Sequence, residues 1–176
     1  MSRSETKGEA MATTENLKEA FAGESQANRK YLAFAKKAEQ DGYAEVAKLF
    51  RAAAEAETVH AHAHFRVLGG VMSTEENLKD AIAGEGHEFN EMYPTFLKEA
   101  EAEGNNAAVQ TFQYALAVEE IHHGLYGRAL EAVGAGKDLP ARDIHVCAVC
   151  GNTVYGEPPD VCPICGAKKQ AFFQVR

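Results

Sequence analysis

The sequence has no surplus of basic side chains: 18 Lys and Arg stand against 26 Asp and Glu, a formal net charge of −8 in 176 residues. Phosphate recognition needs the opposite balance, which argues against a nucleic-acid partner. No apolar run approaches the length of a membrane span, so no bilayer helix is expected. The stretch from Met1 to Met11 lacks the apolar core of a secretory signal, and a cytoplasmic location follows by default, with Met11 a second candidate start. Five prolines are few for this length and fit a helix-rich chain. Cysteine is missing from everything before Cys147. Disulfides therefore cannot brace the main domain, and in a reducing compartment a terminal cluster of four reads as a metal site.

What is present is a duplication. Glu15 to Glu24 read ENLKEAFAGE, and Glu76 to Glu85 read ENLKDAIAGE. Further on, Glu57-Thr-Val-His60 recurs as Glu119-Glu-Ile-His122 at nearly the same offset. Each half is expected to be a helical hairpin with a lone Glu on its first helix and Glu-x-x-His on its second. Leu17, Phe21, Ala27, Tyr31, Phe34 and Ala38 supply a stripe at helical spacing, with Thr13 or Thr14 as the cap. Asp41-Gly42 separates helix one from helix two, which runs to about Leu68. Helix three is expected from about Glu75 to Glu103, capped by Ser73 or Thr74 and kinked at Pro94. Helix four ends near Gly134. The expected organisation is a disordered arm over 1–12, an all-α four-helix bundle over 13–134, a linker over 135–143 and a small domain over 144–176.

The repeated polar residues read as metal ligands. Residues three apart on a helix share a face, so Glu57 with His60, and Glu119 with His122, each aim a carboxylate and an imidazole at one point. With Glu24 and Glu85 they bring four carboxylates and two imidazoles together. Such a concentration of charge inside a bundle is tolerable with divalent cations, and mixed carboxylate–imidazole ligation suits iron or manganese. The halves differ at one place. Glu88 follows Glu85 by three residues, whereas Ala27 follows Glu24 by three. One half thus offers a seventh ligand, a carboxylate able to exchange with a His when the redox state changes. His62, Glu120 and His123 lie off the ligand face and are expected to be exposed, and His64, which shares the face of His60, is read as a packed or surface residue rather than a ligand. Tyr31 and Tyr93 stand within two turns of the acids, where a phenol can donate a hydrogen bond to a ligand.

Cys147-x2-Cys150 and Cys162-x2-Cys165, each followed by glycine, form a pattern specific for a tetrahedral four-thiolate site. Zinc and iron both accept such a site. The module is too short to fold on a core alone, so metal would stabilise it, with Tyr155, Phe172 and Phe173 as a miniature core.

These segments (FAGESQANRKY, GEGHEFNEMYP, AVEEIHH and CAVCG…CPICGA) resemble rubrerythrins in their usual order, over essentially the whole chain after the arm. The resemblance implies a ferritin-like bundle followed by a rubredoxin-like domain. It implies two Fe ions held by Glu24, Glu57, His60, Glu85, Glu88, Glu119 and His122, with Tyr31 and Tyr93 beside them. One Fe would sit on Cys147, Cys150, Cys162 and Cys165, a site that also takes Zn. The implied activity is a peroxidase that reduces hydrogen peroxide to water, NAD(P)H-linked through an external electron donor, a rubredoxin or a reductase. Iron oxidation or storage, and simple electron carriage, are the competing functions.

In ferritin-like folds the connection between helices two and three crosses the whole bundle. Here Gly69 to Ser73 reaches at most ~20 Å, whereas a helix of about 25 residues is ~37 Å long. The expectation is a domain-swapped homodimer, exchanged between helices two and three, with a single-chain up-down-up-down bundle as the alternative.

Overall fold

A computed structural model describes residues 7–175 as five α-helices and a small sheet. They form two compact units, Met1–Met72 and Ser73–Arg176.

The first unit is a helical hairpin of α1 (Lys7–Gln40) and α2 (Ala44–Val67). α1 opens at Lys7, not at a Thr13 or Thr14 cap. Of the arm expected over 1–12, residues 1–6 lie outside the described ones and the rest is helical, as the helix-favouring run Glu9-Ala-Met-Ala12 allows. The seam between the helices is built from the smallest side chains: Ala35, Ala38, Ala47, Ala54 and Ala61 are buried. Alanine lets two backbones approach closely but removes little apolar area from water. Larger apolar side chains remain outside, Phe34 being 47%, Leu49 69% and Val59 64% exposed. Of the stripe along α1, only Phe34 is exposed: Phe50 of α2 meets its ring edge-on at 5.6 Å but covers only part of it.

In the second unit, α3 (Thr74–His87) starts in a capping box: the Ser73 hydroxyl accepts from the Glu76 amide, and the Glu76 carboxylate accepts from the Ser73 amide. The single helix expected to Glu103 is three segments: α3, a π-helical turn over Glu88–Met92, and α4 (Tyr93–Ala102). The wider turn ends just before Pro94, which lies in the first turn of α4 and has no amide proton to donate back into the preceding turn. The numbering explains why the turn is there. Gly42 follows Glu24 by 18 positions, but Gly104 follows Glu85 by 19. Beyond those glycines the spacing to Glu57 and to Glu119 is the same, 15 positions. The second hairpin therefore carries one extra residue in its first helix, and a π turn is the local device that takes in one residue without ending the helix. α5 (Asn106–Gly134) is capped by the Asn105 side chain, which accepts from the Ala108 amide, and packs on α3 and α4.

The same unit ends in an antiparallel sheet of order β2-β1-β3, made of β1 (Ile144–Cys147), β2 (Thr153–Tyr155) and β3 (Phe172–Gln174). Tyr155 donates a hydrogen bond to the Pro140 carbonyl, fastening the preceding segment to the sheet. Tyr155 and Phe172 are half-buried as expected of a miniature core, but Phe173 is 53% exposed. Successive residues of a strand face opposite sides, so two adjacent phenylalanines on β3 cannot share the interior.

No helix among the described residues is long and apolar enough to cross a membrane.

Candidate metal centres

Each unit assembles its own triad. In the first, Glu24 projects from α1, and Glu57 and His60 stand one turn apart on α2. His60 Nδ1 lies 3.0 Å from Glu57 Oε2 and 3.9 Å from Glu24 Oε1. In the second, Glu85 projects from α3 and Glu119 and His122 from α5, with His122 Nδ1 2.9 Å from Glu119 Oε2 and 3.8 Å from Glu85 Oε1. The duplicated sequence thus folds into duplicated geometry. Within each triad, one ligand atom per residue lies within 4.8 Å of the others. Two carboxylates and an imidazole nitrogen at that spacing are a donor set for iron or manganese.

The triads differ in what holds the histidine. The His122 side chain is 28% exposed and that of His60 55%. His122 Nε2 lies 2.8 Å from Thr153 Oγ1, and that hydroxyl lies 3.1 Å from the Gly151 carbonyl oxygen. A hydroxyl has one proton, which Thr153 donates to the carbonyl. It must then accept from His122 Nε2–H. With Nε2 engaged as donor to Thr153, Nδ1, which faces Glu119 and Glu85, is the nitrogen left for a metal.

The first unit has a different support. Asn28, buried one turn after Glu24, donates through Nδ2 to the Ala54 carbonyl at 2.7 Å and to Thr58 Oγ1 at 2.8 Å. It ties α1 to α2 beside Glu57. Four residues after Glu85 the residue is Phe89, whose ring meets that of His123 edge-on at 5.3 Å. His123 is accordingly half-buried, not exposed as its spacing implied. His62 and Glu120 are exposed, as expected, and His64 is half-buried and outside both triads.

Glu88, in the π turn, joins neither triad. Burial, then a hydrogen bond and charge from Glu119, push the Glu85 carboxyl above its ordinary range. Burial and the charges of Glu88, Glu119 and Glu85 likewise raise the Tyr93 phenol, which therefore keeps its proton. Tyr31 packs at 6.1 Å from Phe50 and 6.3 Å from Phe34, ring centre to ring centre, in the first unit.

Cys147, at the end of β1, comes together with Cys150, Cys162 and Cys165. Cys147 Sγ to Cys165 Sγ is 3.7 Å, and Cys150 Sγ to Cys162 Sγ is 3.6 Å. Metal–sulfur bonds of about 2.3 Å in a tetrahedron set sulfur–sulfur edges near ~3.8 Å, so the cage has the size of a four-thiolate metal site. Gly151 and Gly166 take positive φ (84° and 75°), which turns the backbone of each knuckle toward its sulfurs. Burial would raise the Cys162 thiol, but amides of Cys165 and Ile164 outweigh it and bring the group down to about 6. Burial raises Cys150. The Asn152 side chain, 3% exposed, donates to Cys162 Sγ at 3.6 Å.

The two kinds of site meet in the second unit. A cleft of about 330 Å³ is lined by Glu119 and His122 from α5 and by Val149, Cys150 and Gly151 from the first knuckle. Thr153, which joins them, had no local signature in the sequence: a threonine in a strand is ordinary, and only the tertiary fold brings it to His122. Asn28 and Asn152 were equally invisible, since burial is what makes their amides matter.

Comparison with known proteins agrees with these sites. A family model described as rubrerythrin matches residues 15–130, and one described as the rubrerythrin rubredoxin-like domain matches residues 145–173. The chain is 37% identical to rubrerythrin-2 of Clostridium acetobutylicum, covering 91% of this chain and 95% of that protein. It is 36% identical to nigerythrin of Nitratidesulfovibrio vulgaris over 92% and 85% of the two chains. A solved structure of nigerythrin in its fully reduced, all-ferrous state aligns with a TM-score of 0.55 at 36% identity, covering 93% of this chain and 86% of that one.

Proposed function

From the chain's membership of the rubrerythrin family, which is the one to which it belongs, we propose that it is a non-haem di-iron peroxidase reducing hydrogen peroxide to water. The four-cysteine site feeds it electrons. The observation that carries this reading is the hydrogen-bonded path from His122 Nε2 through Thr153 to Gly151, the residue after Cys150. A storage or oxidase bundle has no need of a thiolate site tied to a ligand histidine.

Six residues, Glu24, Glu57, His60, Glu85, Glu119 and His122, would hold the iron pair, with Glu88 as the seventh ligand. The pair would supply the two electrons required to cleave the O–O bond. Two protons must accompany those electrons to yield two waters. Tyr93 remains a neutral donor that can orient a bound oxygen atom by hydrogen bonding. His60, more exposed than His122 and without the Thr153 restraint, is the imidazole that Glu88 would replace on a change of redox state.

A complete centre needs one triad of each kind. The six residues Leu68–Ser73 between α2 and α3 span at most about 20 Å, less than the ~36 Å of a 24-residue α2. The chain therefore pairs as a domain-swapped homodimer, in which the first unit of one copy meets the second unit of the other. The exposed Phe34, Leu49 and Val59 of the first unit are the apolar surface that such a partner would cover. The external donor is a rubredoxin or an NAD(P)H-dependent reductase, and the protein acts in the cytoplasm against oxidative stress. The domain limits in this reading are 13–134 for the bundle and 144–176 for the rubredoxin-like part.

Anaerobic stopped-flow mixing of the reduced, iron-loaded protein with hydrogen peroxide tests the activity. Oxidation of the di-iron centre much faster by peroxide than by oxygen is expected. A rate no faster than with oxygen would overturn the peroxidase reading.

A further inference from the structure

The four-cysteine cage is built from two knuckles with the same backbone hydrogen-bond pattern. The Cys147 amide donates to the Asn152 carbonyl and the Cys162 amide to the Ala167 carbonyl. Gly151 N donates to Cys147 O and Gly166 N to Cys162 O. Each knuckle therefore reads Cys-x2-Cys-Gly followed by one residue whose carbonyl closes the turn. That last residue breaks the symmetry, since it is Asn152 behind the first knuckle and Ala167 behind the second. The side chain of Asn152 is 3% exposed and crosses to the other knuckle, where Nδ2 donates to Cys162 Sγ. Cys162 also receives the backbone amides of Ile164 and Cys165. Alanine at 167 has no group with which to return the favour to Cys147.

We propose that Asn152 sets the reduction potential of the four-cysteine iron, by donating a buried hydrogen bond to Cys162 that has no counterpart on Cys147. The inference rests on the reading of this site as a one-electron iron centre. A four-thiolate ferric site carries one net negative charge, and one electron, with no proton, makes it two. A donor aimed at sulfur stabilises the more negative state more, and does so strongly in a site shielded from water. Asn152 thus raises the potential. The amide makes the cage a readier acceptor from the external donor. It also makes Cys162 electronically distinct from the three other sulfurs, including Cys150, which faces the cleft shared with His122.

The test is a spectroelectrochemical titration of the full-length, iron-loaded protein, following the thiolate-to-iron absorption. Asn152→Leu keeps the volume and removes the donor. It should lower the equilibrium constant for one-electron reduction roughly tenfold, a fall of about 59 mV. Ala167→Asn plants a donor behind the second knuckle and should shift the potential upward. An unchanged potential in Asn152→Leu, or a fall in both variants, overturns the proposal, the latter because packing would then be the determinant. A measurement on the unmutated protein is independent of both variants. Loaded with cadmium-113, it should show scalar coupling from the metal to an Asn152 side-chain amide proton across Cys162 sulfur. Absence of that coupling overturns the proposal as well. A cage that accepts cadmium but develops no thiolate-to-iron absorption would instead defeat the one-electron reading on which the inference rests.

Discussion

The two hairpins are copies of one design that are supported differently. Both present Glu, Glu and His with the same spacing to within 0.1 Å, 3.0 and 3.9 Å in one and 2.9 and 3.8 Å in the other. The first is tied together by an internal amide, Asn28, and leaves its histidine 55% exposed. The second has no such tie; it has a π turn, an aromatic contact and a threonine from the sheet that fixes its histidine. Duplication preserved the ligands, and divergence acted on what surrounds them. If the two triads meet in one centre as proposed, equal first contacts with unequal supports would let one side hold still while the other rearranges.

The largest effect should come from removing a ligand on each side. Glu57→Ala and Glu119→Ala each should weaken iron binding in the bundle by more than about tenfold, since even the supports of a ligand are worth 10–100-fold. Co-expressing the two variants sharpens the comparison. In a swapped dimer the mixed pair retains one intact centre, built from the unaltered first unit of one chain and the unaltered second unit of the other. Iron content of the purified mixed dimer should then recover to about half of the unaltered protein. No recovery would mean that each chain builds its own centre.

Next in size is Thr153→Val, which removes the acceptor for His122 Nε2–H at nearly constant volume. Metal affinity should fall roughly 10- to 100-fold through loss of the enforced tautomer, read by competition with a chelator. Thr58→Val, beside Glu57, serves as the control in the other hairpin and should fall less. Equal losses would mean that the two histidines are held equally well. The smallest effect on binding belongs to Glu88→Ala. It should retain more iron than Glu57→Ala, by direct metal analysis, while slowing turnover with peroxide. Iron loss equal to that of Glu57→Ala would make Glu88 an essential ligand instead of an exchangeable one.

The two triads were legible because their residues are local and repeated. Glu-x-x-His places two donors on one helical face wherever it occurs, and its second copy in register with a second lone Glu removes most of the ambiguity. The paired Cys-x2-Cys knuckles are equally self-contained. The short connection after Leu68 was legible as a constraint, because chain length limits reach regardless of fold. What could not be read was whatever depends on burial or on distant chain. Pro94 announced a disturbance in the third helix, but local rules offered a kink and not a π turn. Only the count of residues between Glu85 and Gly104, set against that between Glu24 and Gly42, reveals the extra position. Phe173 looked like core because aromatics usually are, and strand alternation turned it outward. His123 looked exposed from its angle on the helix, but Phe89, swung by the π turn, covers it.

The π turn also orders events in time. The stretches ENLKEAFAGE and ENLKDAIAGE still match almost letter for letter, and the distances from Gly42 to Glu57 and from Gly104 to Glu119 are still equal. The odd residue lies between those two agreeing stretches. One residue entered the younger history of one copy, or left that of the other, only after the gene segment had been doubled. Glu88 lies at the start of that same turn, so the carboxylate that one hairpin has and the other lacks stands beside the place where the two copies also came to differ in length.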